Sequence, residues 1–147
     1  MSLKRVRITT ELSCYVDNTP GMLGQIAKKM ADNGIDIIGI QSYEGQLQSL
    51  VRLCVNNMDV AEKVLRDVGV DLISRPEVME VLIRNEVGGL AEVTSLLGQH
   101  GININSLYAT DGVDETFARA FIRVDDIELA KKILEKELPH LPINGDK

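Results

Sequence analysis

The sequence predicts an α+β protein built from two copies of one small module. A motif recurs at a constant offset of 67 residues, both halves show the same order of strands and helices, and 147 residues suit two small domains. The motif reads Asn18-Thr-Pro-Gly-Met-Leu and then Gly34-Ile-Asp-Ile, and its second copy reads Asn85-Glu-Val-Gly-Gly-Leu and then Gly101-Ile-Asn-Ile. The repeat is longer than a solenoid unit and about the size of a minimal domain.

The first half of module one is a predicted strand, turn and helix. Apolar and polar residues alternate from Val6 to Asp17, which predicts one strand. In the turn Asn18-Thr-Pro-Gly, Asn or Thr can cap a helix and Pro suits its first turn. Apolar residues then recur at helical spacing, and Asn33-Gly34 ends the helix because Gly tolerates a left-handed conformation.

The second half of module one continues with two strands, a helix and a strand. The β-branched segment Ile35 to Gln41 and the alternating segment Ser49 to Val55 predict the strands, Asp59 caps the helix, and Val70 to Ser74 is the last strand. This order is that of the split βαβ, or ferredoxin-like, unit. We therefore expect an antiparallel four-stranded sheet with both helices on one face.

Module two repeats the order. Its strands are predicted over Val78 to Ile83, Ile102 to Tyr108 and Thr116 to Val124, with helices after the first and third. Pro139 and Pro142 bracket the last strand, which is therefore a short edge strand or missing. The predicted modules are residues 1–75 and 76–147, joined by a segment too short to act as a flexible tether.

The strand Val78 to Ile83 is apolar at every position except Glu80. In a sheet with one solvent-exposed face, apolar and polar residues alternate along each strand. This strand therefore predicts that the open face of its sheet is covered by the other module or by another chain. Each module is also small and marginally stable alone. These observations predict a homodimer in which modules share sheet edges or faces.

Composition and motifs exclude several classes of function. The net charge of −6 and the absence of Trp argue against nucleic-acid binding. No long apolar run or signal-peptide pattern is present, so we expect a cytoplasmic protein that does not enter a membrane. Cys14 and Cys54 are expected to be buried thiols. No metal-ligand spacing, cofactor motif or catalytic constellation occurs, so we expect no metal, no cofactor and no enzymatic activity.

The turn between the first strand and the first helix of each module is the candidate site. Gly21 and Gly88 allow a tight turn and a close ligand approach, and the following helix N-terminus favours a carboxylate. Asn18 and Asn85 each offer a hydrogen-bond donor and an acceptor. This combination suits a free amino acid, although an Asn-x-x-Gly sequence is also typical of a simple cap and turn.

Each copy resembles an ACT domain, the small-molecule-sensing module named after aspartate kinase, chorismate mutase and a tyrosine-pathway regulator. The family pattern is a polar residue, any residue, Pro-Gly, Leu, an apolar helix and Gly-Ile-Asn-Ile; the second copy lacks the proline. The second copy is also similar to the regulatory small subunit of acetolactate synthase. The resemblance implies two effector sites: Asn18, Pro20, Gly21, Met22, Leu23, Asp36 and Ile37 in module one, and Asn85, Gly88, Gly89, Leu90, Asn103 and Ile104 in module two.

The resemblance also separates the two sites. In serine-sensing members the ligand is held by the Asn of the first turn and an Asn at the start of strand two, and only module two has both, as Asn85 and Asn103. Asp36 would repel a carboxylate but could hold an ammonium group. The resemblance implies a non-catalytic regulator that senses a small amino acid at module interfaces. The alternative is a regulatory subunit that docks on a biosynthetic enzyme such as acetolactate synthase, with ligand binding secondary or lost.

Overall fold

The computed structural model describes residues 3–110, 114 and 116–137, and the chain divides into two compact units. The first unit is Thr10–Pro76, and the second combines residues 3–9 with 77–137. The chain opens with β1 (Leu3–Thr10), a strand of the second unit. Across the described ranges, no helix has the length and apolar character needed to span a membrane.

The first unit has the predicted ferredoxin-like order. Its elements are β2 (Leu12–Asp17), α1 (Met22–Asp32), β3 (Ile37–Tyr43), β4 (Gln48–Val55), α2 (Met58–Asp67) and β5 (Ile73–Ser74). The strands lie in the order β3-β4-β2-β5, and each neighbouring pair is antiparallel. Alternate residues of β2 and β4 pack with α1 and α2 to form the core, which includes Leu12, Cys14, Val16, Ile26, Met30, Val51, Leu53, Val64 and Leu65.

The cap of α2 differs from the prediction. Asn57, not Asp59, is the N-cap residue, and its side-chain oxygen accepts from the backbone N–H of Val60 at 3.2 Å. Asp59 lies in the first turn of the helix, where its negative charge faces the positive end of the helix dipole.

The second unit repeats this arrangement. Its further elements are β6 (Glu77–Arg84), α3 (Gly89–Gln99), β7 (Ile104–Thr110), β8 (Phe117–Val124) and α4 (Ile127–Lys136). The strand order is β1-β6-β8-β7, with β8 antiparallel to both of its neighbours. The last strand predicted near Pro139 and Pro142 lies outside the described residues. The sheet position beside β6, which β5 holds beside β2 in the first unit, is occupied by β1.

The single strand predicted over Val6 to Asp17 is therefore wrong. The segment forms β1 and β2 in two different sheets, and Glu11 lies between them with its backbone N–H donating to the carbonyl of Pro76 at 3.0 Å. No Gly or Pro marks the break, because pairing with distant strands creates it. The units also differ from the predicted modules 1–75 and 76–147, since residues 3–9 belong with the second unit.

Strand β6 is buried on both faces. Met79 and Val81 pack into the helix-covered core, together with Leu3 and Val6 of β1. Val78 and Glu80 alternate with them, and only 1% and 2% of their surfaces are exposed. Side chains on both faces of the strand are therefore buried, and on the face opposite the helices the arginines described below contact Glu80.

A cluster of charges ties β1 to β6. The Glu80 carboxylate accepts from Arg7 Nε at 2.8 Å and from Arg5 Nη2 at 3.3 Å, and Arg119 Nε of β8 lies 3.2 Å from it. Arg7 also donates to it through Nη2. Two arginines near the start of the chain, Arg5 and Arg7, therefore neutralise a buried acid.

Candidate functional site

The two strand-to-helix turns have nearly the same backbone geometry. Gly21 and Gly88 are the N-cap residues of α1 and α3, with φ angles of 89° and 90°. Neither helix has a side-chain cap, so the prediction that Asn or Thr caps the first helix is wrong. A Cβ added to either glycine would meet no atom within 4 Å, so the left-handed φ angle is what requires glycine here.

Asn18 is directed toward the hairpin between β3 and β4. Its Nδ2 donates to the carbonyl of Gly45 at 2.9 Å, and its backbone N–H donates to the carbonyl of Leu47 at 3.0 Å. With Gly45, it lines an open hollow of about 560 Å³ whose other walls are Tyr43, Glu44 and Gln46. The amide nitrogen of Asn18 is therefore hydrogen-bonded to the hairpin, although the side chain also borders a space large enough for a ligand.

The corresponding turn of the second unit opens onto helix α3. Asn85 donates its backbone N–H to the carbonyl of Thr116 at 2.8 Å. Gly88 lines a hollow of about 430 Å³ along α3, with Ala91, Glu92, Ser95, Leu96 and Gln99. Glu92 lies in the first turn of α3, whereas the first turn of α1 has no acidic residue. The electrostatic environment at the N-terminus of α1 therefore favours binding of a carboxylate more than that at the N-terminus of α3.

The structure separates the paired polar residues of the first site. Asn18 hydrogen-bonds to Leu47 just before β4, and the backbone of Asp36 accepts from Asn56 just after β4. Nine residues of extended chain separate these two points, which is about 30 Å at 3.3 Å per residue. Asn18 and Asp36 therefore lie at opposite ends of one sheet.

The second site is divided in the same way. Asn85 bonds to Thr116 before β8, and Asn103 precedes Ile104, which pairs with Val124 at the end of β8. Asn103 lies one residue beyond this pair, so about nine residues of extended chain separate the two asparagines, which is again about 30 Å. Asn103 donates to Asn105 Oδ1 at 3.0 Å. One amino acid cannot contact both amides of one module.

The other predicted residues divide between helix starts and core. Met22 and Gly89 are the first residues of their helices, and the leucines after them are about two-fifths exposed. Pro20 lies in the turn before α1. Ile37 and Ile104 begin their strands and pack against the apolar cores of their units.

A cleft in the first unit was missed by the sequence reasoning. It measures about 150 Å³, and its lining includes Tyr15, Val16, Asp17, Met22, Gln48, Val68, Gly69, Val70, Asp71 and Leu72. Only Met22 belongs to the predicted site. These residues come from the end of β2, the start of α1, the start of β4 and the segment after α2, and no local motif links them.

Comparisons with known proteins concern the fold of the chain. Residues 78–139 match the family model of the ACT domain. No curated protein matches the sequence. Among solved structures, protein BT0572 from Bacteroides thetaiotaomicron is similar with a TM-score of 0.80 and 22% identity, over 90% of each chain.

Two further similar structures are described as parts of aspartate kinases. The ligand-free regulatory subunit of aspartate kinase from Thermus thermophilus has a TM-score of 0.66 and 14% identity, over 92% of this chain and 98% of that one. The aspartokinase alpha and beta subunits have a TM-score of 0.63 and 20% identity, over 92% of this chain and 97% of that one. At these identities the likeness concerns the fold. Residues 78–139 are therefore similar to the ACT domain, and the first unit has the same order of strands and helices as the second.

Proposed function

We propose that this chain is a non-catalytic regulatory protein that binds a small amino acid. The observation that carries the proposal is the repeated turn, in which an asparagine stands three residues before a left-handed glycine that begins a helix. The helix N-terminus favours a carboxylate, and the amide offers a donor and an acceptor. The fold shared with an aspartate kinase regulatory subunit supports a regulatory role.

We further propose that each effector site is shared between copies of the chain. The separation of about 30 Å between Asn85 and Asn103 exceeds the reach of one amino acid, so both amides can contact the ligand only if they come from different copies. In a two-fold dimer, the turn of one copy would meet the strand start of its partner twice. The ligand would then stabilise the dimer by mass action.

Mixing two single variants tests this arrangement. Asn85→Ala and Asn103→Ala should each weaken amino-acid binding by about 1–3 kcal/mol, because a ligand group loses its partner. A mixture of the two variants forms hybrid dimers, in each of which one site has both asparagines. Calorimetry should therefore recover high-affinity binding in the mixture, while Asn33→Ala, an exposed asparagine at the other end of α1, should leave affinity unchanged.

The first step is a thermal-shift screen of the full chain against the twenty protein amino acids, with light scattering to give the mass. If no amino acid raises the melting temperature, the proposed function fails. A mass near 16.2 kDa with and without ligand would show that the chain is a monomer, which would contradict a site shared between copies. If both single variants bind the amino acid with unchanged affinity, Asn85 and Asn103 are not part of the binding site.

A second candidate is a regulatory subunit that acts on a separate biosynthetic enzyme. The similarity over 98% of a chain described as a regulatory subunit of aspartate kinase favours it. In this case a tagged chain should co-purify with one biosynthetic enzyme in a fixed ratio, and the amino acid should change that enzyme's activity only when the chain is present. Amino-acid binding without any such partner would favour a free-standing sensor.

A further inference from the structure

The cleft of the first unit exists because two neighbouring strands separate. β2 continues to Asp17, but β5 pairs only with Ser13 and Cys14. Beyond that point the chain after α2 diverges from β2, and residues 68–72 line the opposite wall. The last three residues of β2 therefore border a space where the sheet would otherwise continue.

The walls of this cleft carry negative charge. Asp17 lines it from the end of β2, and Asp71 lines it from the segment after α2. Within the part of the chain that the structure describes, no ion pair involves either carboxylate. The wall also includes Val68, the C-cap of α2, where the helix dipole contributes further negative potential. This electrostatic environment favours a cation.

The remaining walls suit a small organic molecule. Val16, Val70 and Met22 provide apolar surface, and Tyr15 and Gln48 provide hydrogen-bonding groups. A volume of about 150 Å³ holds several non-hydrogen atoms rather than one ion. Most ligand sites combine such apolar walls with a few polar groups.

We infer that this cleft binds the ammonium group of a small amino compound between Asp17 and Asp71. The inference deepens the proposed function and rests on it for biological meaning, because it gives the first unit a site of its own. That site replaces the pairing of Asn18 with Asp36, which lie at opposite ends of the sheet. Met22 then contacts the ligand from the start of α1, whose acid-free first turn tolerates a carboxylate.

The second unit lacks this charge pattern. At the offset of 67 residues, Arg84 stands where Asp17 lies in the first unit, and Leu82 stands where Tyr15 lies. An arginine at this position repels an ammonium group. The two units are therefore not equivalent, and the cation site belongs to the first.

Nuclear magnetic resonance of the isotopically labelled full chain tests the cleft directly, with n-butylammonium as the probe and neutral n-butanol as its control. We expect saturable shifts of the backbone signals of residues 15–17 and 69–72 with n-butylammonium alone. The double variant Asp17→Asn, Asp71→Asn should weaken binding about tenfold, as expected for losing charged hydrogen bonds. Asp17→Arg, which copies the second unit, should abolish it.

Asp32→Asn is the matched control, because this exposed acid lies at the far end of α1 and contacts Lys28. Equal binding of n-butanol, shifts spread over the surface, or affinity unchanged in the double variant would each overturn the inference. Well-dispersed spectra of the variants show that they are folded. Binding of n-butylammonium in the cleft requires neither Asn85 nor Asn103. The cation site can therefore be refuted while the proposed amino-acid site is supported, and the amino-acid site can be refuted while the cation site is supported.

Discussion

Replacing Glu80 with glutamine should destabilise the second unit. Its carboxylate is 2% exposed and contacts the guanidinium groups of Arg5, Arg7 and Arg119. Glutamine keeps the size and one acceptor but leaves three positive charges without their acid. Breaking a fully buried ion pair costs about 3–5 kcal/mol.

The cost here should be smaller, because water screens part of the cluster. The side chains of Arg5 and Arg7 are 51% and 52% exposed, and that of Arg119 is 24% exposed. We therefore expect the free energy of unfolding to fall by about 2–3 kcal/mol. With a urea dependence of about 1–3 kcal/mol per molar, the midpoint should fall by roughly 1 M.

Urea unfolding followed by circular dichroism measures this change. Glu77→Gln is the control, because Glu77 lies on the same strand but is exposed. It should shift the free energy by less than about 0.5 kcal/mol. If the two variants unfold at the same urea concentration, desolvation offsets the attraction within the cluster and our reasoning about its role is wrong.

Two further predictions concern backbone strain and a buried thiol. Gly88→Ala should lower the free energy of unfolding by about 1–2 kcal/mol, because the φ angle of Gly88 is 90°. Gly98→Ala inside α3 should instead raise the free energy of unfolding by about 0.5–1 kcal/mol. Equal effects of the two variants in urea unfolding would contradict the argument from backbone strain. Burial raises the pKa of Cys14 to about 11. The neutral thiol therefore supports folding below about pH 9, and this support is lost as the pH rises through 11. Iodoacetamide should label Cys14 slowly at pH 8.5 unless urea is added, and rapid labelling of the folded chain, measured by mass spectrometry, would refute its burial.

The core of each unit was predictable because local patterns encode it. The alternation of Leu12, Cys14 and Val16 places them on one face of a strand, and helical spacing places Ile26 and Met30 against them. The recurrence of these patterns at one offset predicted the second core as well. The turn glycines were predictable for the same reason, since a left-handed φ angle selects glycine directly.

The candidate sites were only partly predictable. The sequence places Asn85 and Asn103 in one motif, but it does not show that a strand of about 30 Å separates them. The cleft near Asp17 and Asp71 was not predictable, because it arises where β5 stops pairing with β2. No sequence pattern marks the residue at which two strands diverge.

By itself, the sequence determined the two-module α+β organisation, the order of strands and helices from β2 to α4, and the resemblance to ACT domains. These features depend on local periodicity and on glycine positions, which are properties of neighbouring residues. Only the tertiary structure decided that residues 3–10 complete the second sheet and that Arg5 and Arg7 neutralise Glu80. Strand partners are chosen by contacts between residues far apart in the chain, and alternation in one strand does not identify its neighbour.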